Sequence, residues 1–232
     1  MRWREVLPGF IAVFAIFQLT AAMLGSVRGE WGLAVAATVV GALIAVEMAE
    51  RRRRLPAALG ALGFGRPRGS GLGAALLVSL VLLAVVPAYI AIAGADWGLY
   101  PGWVALLPGL FAQGGIAEEA LFRGFLFGRL RQGRSFWRAA FLATLPFLAA
   151  HLYLFATMPF AIALASVLLS TIISFPLAKL FDAGGNTIWG PALVHFVVQA
   201  TPKIVETDAM FPLIWIAAAG VLPFLAFAWR SR

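Results

Sequence analysis

The chain has 232 residues, of which 62% are hydrophobic and 12% are charged, and its mean hydropathy is +0.93. A soluble domain carries about 25% charged residues, so this composition excludes an ordinary soluble domain and indicates an integral membrane protein. The absence of cysteine excludes disulfides and thiolate chemistry. The net charge of +8 comes mainly from arginines between apolar runs, which favours control of membrane topology over nucleic-acid binding.

Apolar runs predict eight transmembrane helices, because about 20 residues are needed to cross a bilayer core of about 30 Å. In chain order they cover approximately residues 7–25, 31–48, 72–93, 103–130, 139–154, 159–181, 187–200 and 211–229. The basic loop 51–70 is expected to hold a short interfacial helix at about 55–62. Asp-Ala-Gly-Gly-Asn at 182–186 predicts a turn before the seventh span. Pro191 is expected to end or bend the start of that span. The predicted fold is therefore an all-α, polytopic membrane helix bundle, a single domain over 1–232 with a motif-bearing core at about 103–200.

Basic residues are distributed very unequally between the two sides of such a bundle. With eight crossings, one side holds Arg2, Arg4, Arg51–Arg54, Arg66, Arg68, Arg131, Arg134, Arg138, Lys179, Arg230 and Arg232. The other side holds only Arg28 and Lys203 as cations. The positive-inside rule then predicts a multi-pass cell-membrane protein with both termini in the cytoplasm. Contact with anionic lipid headgroups is a compatible secondary role, and the composition is typical of a bacterial protein.

Ionisable residues interrupt three of the predicted spans. Glu118, Glu119 and Arg123 lie in the fourth, His151 in the fifth and His195 in the seventh. Counting about 1.5 Å per residue from the helix ends puts all three groups near the middle of the membrane. Such groups are costly in hydrocarbon and usually face a bundle interior, so the sequence predicts one active site in a central intramembrane cavity.

Spacing within the spans separates the roles of these residues. Glu119 and Arg123 are four apart, share a helix face and are expected to form an ion pair, whose alternative role is to fix helix packing. Glu118 has no cation at i+3 or i+4, which suits a general base. Gln199 follows His195 by four residues and can donate to an oxyanion or, alternatively, to a neighbouring helix. A lone histidine on an apolar helix face is more often a satisfied core residue than a catalyst, but two histidines at matching depth beside a glutamate pair favour a functional role.

These pieces resemble a family. Glu118-Glu119-x-x-x-Arg123-Gly124, Phe147-x-x-x-His151 and His195-x-x-x-Gln199 are similar, in this order, to motifs of the CAAX prenyl endopeptidase and bacteriocin-processing (CPBP, or Abi) intramembrane proteases. The resemblance implies that Glu118 activates water with help from His151, that Glu119 and Arg123 support the site electrostatically, and that His195 and residue 199 stabilise the oxyanion. The family usually has asparagine where this chain has Gln199. The extra methylene predicts a shifted hydrogen bond or a slightly different backbone.

The predicted function is hydrolysis of a peptide bond by water that glutamate and histidine activate inside the membrane. The expected substrate is a membrane-embedded or lipid-anchored peptide or protein, and the other expected contacts are membrane lipids, with no nucleic acid. A protease of the glutamate type without a cofactor is favoured. A zinc metalloprotease with ligands Glu118, His151 and His195 is the alternative, although the HExxH motif is absent. Two non-hydrolytic alternatives stay open: a non-catalytic membrane scaffold, and a proton-coupled transporter, against which the lack of an internal repeat argues.

Overall fold

The computed structural model describes residues 6–26 and 28–229, and almost all of this part of the chain is helical. Its first half contains four helices and one short strand. They are α1 (Leu7–Leu24), α2 (Gly32–Arg51), α3 (Leu55–Ala61), α4 (Gly69–Ala93) and β1 (Gly98–Leu99). The predicted short helix at 55–62 therefore exists as α3.

A single long helical rod follows, here called the central helix. It consists of α5 (Trp103–Leu110), two π-helical segments (Phe111–Glu118 and Ala120–Phe127) and α6 (Gly128–Arg131). The remaining elements are α7 (Phe136–His151), α8 (Leu154–Thr157), α9 (Phe160–Ala183), α10 (Trp189–Ile204), β2 (Val205–Glu206), α11 (Phe211–Val221), a 3₁₀ turn (Leu222–Phe224) and α12 (Leu225–Ala228). Two residues each of β1 and β2 pair antiparallel, a contact that the sequence analysis did not predict.

The predicted all-α membrane bundle is confirmed, but its count of eight crossings is not. Among the described residues, six helical stretches are long and apolar enough to cross a membrane. The central helix is not among these six, and neither is α10, which has only 16 residues. The number of crossings and the single-domain boundary therefore stay predictions.

The turn before α10 fixes where that helix begins. Gly185 and Asn186 have φ angles of 80° and 61°, so the turn predicted at 182–186 is present. The Trp189 indole Nε1 donates to the Gly65 carbonyl at 2.8 Å, which ties the start of α10 to the loop before α4. Pro191 lies in the first turn of α10, where a helix tolerates proline, so the predicted break is wrong.

Two hydrophobic clusters meet at the interface of α10 and the central helix. One cluster is built mainly from α1, α2, the central helix and α7, and the other mainly from α4, α9, α10 and α11. The first π-helical segment packs against both α2 and α10. The polar residues of α10 and of the central helix are thereby brought face to face at the seam between the two clusters.

Charged groups collect at the two ends of the bundle as the sequence pattern requires. Helix α2 runs from Gly32, close to Arg28, to Arg51. At the first of these ends, the Arg28 guanidinium donates to the Lys203 carbonyl at 3.5 Å. At the other end, Arg51, Arg53 and Arg131 line a common cavity. Arg2, Arg4, Arg230 and Arg232 lie outside the described residues, and the cytoplasmic orientation of the termini stays a prediction.

Candidate active site

The central helix changes its winding where it carries the acidic pair. Glu118 ends the first π-helical segment and Glu119 stands between the two segments. Segments of π-helix are rare and often occur at functional sites. The wide winding covers residues 111–127, so the two carboxylates and Arg123 are all presented from this unusual part of the backbone.

Glu119 is the most buried charge of the site. Its Oε1 accepts a hydrogen bond from Arg123 Nη1 at 3.0 Å, which is the ion pair that the spacing predicts. The same oxygen lies 2.6 Å from His195 Nδ1. The relative exposures of Glu119, Arg123 and His195 are 0%, 2% and 5%. Because a carboxylate only accepts, His195 must carry a proton on Nδ1, and Glu119 thereby fixes the orientation of this ring.

Glu118 finds its partner on α10 and not on its own helix. The Gln199 amide nitrogen donates to Glu118 Oε1 at 3.2 Å and lies 3.0 Å from His195 Nε2. Its two hydrogens can serve both groups at once if His195 is neutral and Nε2 accepts. Gln199 therefore links the base candidate to the histidine that Glu119 orients, and His195 Nε2 lies 3.7 Å from Glu118 Oε2.

His151 is the last residue of α7, and its imidazole contacts the ring of Phe147 beside the site. Its Nδ1 donates to the Phe147 carbonyl at 2.8 Å, which leaves Nε2 as the nitrogen able to accept a proton. The Phe147 ring lies 4.6 Å from the imidazole and 4.6 Å from the Arg123 guanidinium carbon. Phe147 thus packs against both His151 and Arg123. Electrostatic interactions connect His151 with Glu118 and His195.

Gly114 explains how the chain accommodates glutamine at position 199. A Cβ added at Gly114 would collide with the Gln199 Oε1 and lie 2.8 Å from its Cδ. The missing side chain therefore makes the space into which the longer amide extends. Close packing, by contrast, explains Gly124, where an added Cβ would collide with the Leu62 backbone carbonyl.

Gly114→Ala should displace the Gln199 amide and lower activity about 10- to 100-fold, since a misplacement of about 1 Å can cost 100-fold. Adding Gln199→Asn should restore part of the loss, because the shorter side chain no longer meets the new methyl group. Cleavage rates of the single and double variants check this. Gly41→Ala is the matched control, because nothing lies within 4 Å of its added Cβ. Equal activity of the two variants would contradict the fit of Gly114 to Gln199.

The predicted zinc ligands do not converge. Within residues 6–26 and 28–229, no group of three His, Asp or Glu side chains is placed to hold a metal ion. Both ring nitrogens of His195 already contact Glu119 and Gln199. Glu118, His151 and His195 as they lie therefore do not fit a metal centre.

Two further residues near Glu118 were not predicted to belong to the site. Lys203 follows His195 and Gln199 on α10 at the same four-residue spacing, and it interacts electrostatically with Glu118. Tyr153, just after α7, does so as well. The signal for Lys203 was in the sequence as the 195, 199, 203 periodicity. Tyr153 follows the end of α7, where no periodicity could place it.

Comparison with known proteins supports the resemblance in one region. Residues 100–201 match the family model described as type II CAAX prenyl endopeptidase Rce1-like, which confirms the family resemblance that the motifs predicted. The matched segment is somewhat less than half of the chain and contains all six predicted site residues. Neither the curated proteins nor the solved structures give a significant match.

Proposed function

We propose that this multi-pass membrane protein, with its CAAX prenyl endopeptidase-like segment, is an intramembrane endopeptidase in which Glu118 activates the attacking water. The observation that carries the proposal is the unequal setting of two adjacent carboxylates. Glu119 contacts Arg123 at 3.0 Å and His195 at 2.6 Å, whereas Glu118 is partly exposed, at 12% of its side chain, accepts a hydrogen bond from the Gln199 amide and lies 3.7 Å from His195 Nε2. One carboxylate is thus neutralised in place, and the other can take up a proton.

The reaction begins when Glu118 accepts a proton from water as the oxygen attacks the scissile carbonyl carbon. The C=O π electrons move to the carbonyl oxygen, which becomes an oxyanion. Glu118 then returns the proton to the amide nitrogen as the C–N bond breaks, which gives a carboxylic acid and an amine. General base catalysis of this kind contributes about 10²–10⁴ to a rate. In this proposal His151 helps to orient the water through Nε2, because its Nδ1 donates to the Phe147 carbonyl.

Gln199 has a role that changes during this cycle. Before the reaction its N–H groups serve Glu118 and His195. Protonation of Glu118 removes the negative charge that holds one of them, so that N–H becomes available to the oxyanion. His195 can join it as a donor when Nε2 carries a proton taken from bulk water, because Glu119 then faces the imidazolium through Nδ1.

The proposed substrate is a membrane-embedded or lipid-anchored peptide or protein. Comparison of new N-termini in membranes with wild-type or Glu118→Gln protein tests this directly. We expect cleavage products that depend on Glu118 and that map to membrane-associated segments. Identical N-termini in the two membranes would refute the proposed protease.

Metal removal should leave this activity intact. Purified protein that has been treated with a chelator is expected to cleave at the untreated rate and to contain far less than one zinc per chain. Elemental analysis beside a cleavage assay measures both. Activity that disappears on chelation and returns with zinc would replace the glutamate-type mechanism by the metal-dependent one.

A further inference from the structure

A cavity of about 400 Å³ opens at the basic end of the bundle, beyond the second π-helical segment and apart from the acidic pair. Its volume lies within the usual range of ligand pockets. It is lined by parts of α2, α3, α6, α9 and the turn before α10. The polar lining residues are Glu47, Arg51, Arg53, Arg129, Arg131, Gln132 and Asn186.

Guanidinium groups outnumber carboxylates in this cavity. Glu47 is the one acid in the described lining, and it pairs with Arg53 at 3.3 Å and with Arg129 at 2.7 Å. From beside the cavity, Glu50 pairs with Arg129 at 2.8 Å and Asp182 pairs with Arg131 at 3.3 Å. The described lining therefore holds four guanidinium groups and one carboxylate, with two further carboxylates beside it.

Three of these arginines, Arg53, Arg129 and Arg131, are held in place by the ion pairs. Arg129 is only 5% exposed, and its guanidinium stacks 3.8 Å from the centre of the Phe125 ring. Each arginine offers five N–H donors, more than the neighbouring carboxylates can take, and the amides of Gln132 and Asn186 add further donors. The planar guanidinium fork matches phosphate oxygens in particular. Rigid cations and amide donors around an open volume are what recognition of a phosphate group requires.

We propose that this cavity binds a phosphate group, and its position at the basic end of the bundle favours the headgroup of an anionic phospholipid. The lining arginines come from the ends of the helices, where such headgroups lie. Basic residues near a membrane surface each contribute attraction to anionic lipid. Neither the family match nor the proposed protease requires this site, so the proposal stands independently of the hydrolytic function.

The test measures thermal unfolding of the intact protein in a neutral detergent at constant ionic strength. Short-chain phosphatidylglycerol, phosphatidylcholine and inorganic phosphate are added in separate series. We expect phosphatidylglycerol to raise the melting temperature in a saturable way and phosphatidylcholine to have no effect. A shift with inorganic phosphate at the same concentrations would keep the phosphate site and assign it to a soluble ligand.

Paired variants separate the cavity from general surface charge. Arg51→Gln with Arg131→Gln should weaken phosphatidylglycerol binding about 25-fold, at about fivefold per arginine. Arg66→Gln with Arg138→Gln removes the same charge from exposed positions outside the lining and should leave binding unchanged. If the first pair does not fold, Gln132→Glu at the exposed edge should weaken binding through repulsion. Equal effects of both lipids, no shift with any of the three, or equal losses in the control pair would overturn the proposal.

Discussion

Glu118→Gln is expected to lower peptide hydrolysis by about 10²–10⁴-fold, the contribution of a general base. Glutamine has the shape of glutamate and still accepts the hydrogen bond from the Gln199 amide, which is 3.2 Å from Glu118 Oε1. It cannot take a proton from water. The loss should therefore appear in kcat with little change in KM, and the variant should remain folded.

The matched control for this experiment is Glu30→Gln. Glu30→Gln makes the same chemical change at an exposed loop position, where the Glu30 carboxylate accepts a hydrogen bond from the Arg28 backbone N–H. Cleavage of a substrate found by N-terminal proteomics, with protein in lipid vesicles, gives the rates. If Glu118→Gln retained more than about a tenth of the wild-type rate while Glu30→Gln behaved alike, Glu118 would not be the base.

Arg123→Met is expected to destabilise the protein by about 3–5 kcal/mol, the usual cost of leaving one member of a buried ion pair alone. Glu119 is fully buried, and Arg123 is its only described cationic partner that is charged at every pH. Methionine fills much of the volume but neutralises nothing.

The double variant Arg123→Met with Glu119→Gln should recover most of this stability. Glutamine removes the stranded charge, while its carbonyl oxygen still accepts from His195 Nδ1. Unfolding in detergent, monitored for the wild type, both single variants and the double variant, gives the coupling energy between the two sites. Additive losses in the double variant would contradict the ion pair as the reason for the instability. Loss of activity in a stable double variant would show that the pair also supports catalysis.

The helical architecture follows closely from the pattern of apolar runs. The predicted first span, 7–25, is α1 at Leu7–Leu24, and the predicted fourth, 103–130, is the central helix at 103–131. The ion pair of Glu119 with Arg123 was equally predictable, because its four-residue spacing is local. These features depend on hydrophobic periodicity and on one helix at a time.

Features that depend on two elements together could not be predicted. Nothing in the local sequence specifies a π-helical winding over residues 111–127, since hydropathy alone does not distinguish it from an α-helix. The fit of Gln199 beside Gly114 requires the packing of α10 on the central helix. Likewise, the partner of Glu118 lies 81 positions away in the chain. The two-residue pairing of β1 with β2 is also a long-range contact.

The amide between the two acids has a consequence for proton movement. Glu119, His195, Gln199 and Glu118 form an unbroken series of contacts, yet one member of it has no titratable proton. A proton wire needs every link to both take up and release a proton, and a carboxamide does not do so at ordinary pH. The amide therefore couples the two acids electrostatically without itself passing a proton, and a proton moving between Glu118 and His195 would have to cross the 3.7 Å that separates Glu118 Oε2 from His195 Nε2.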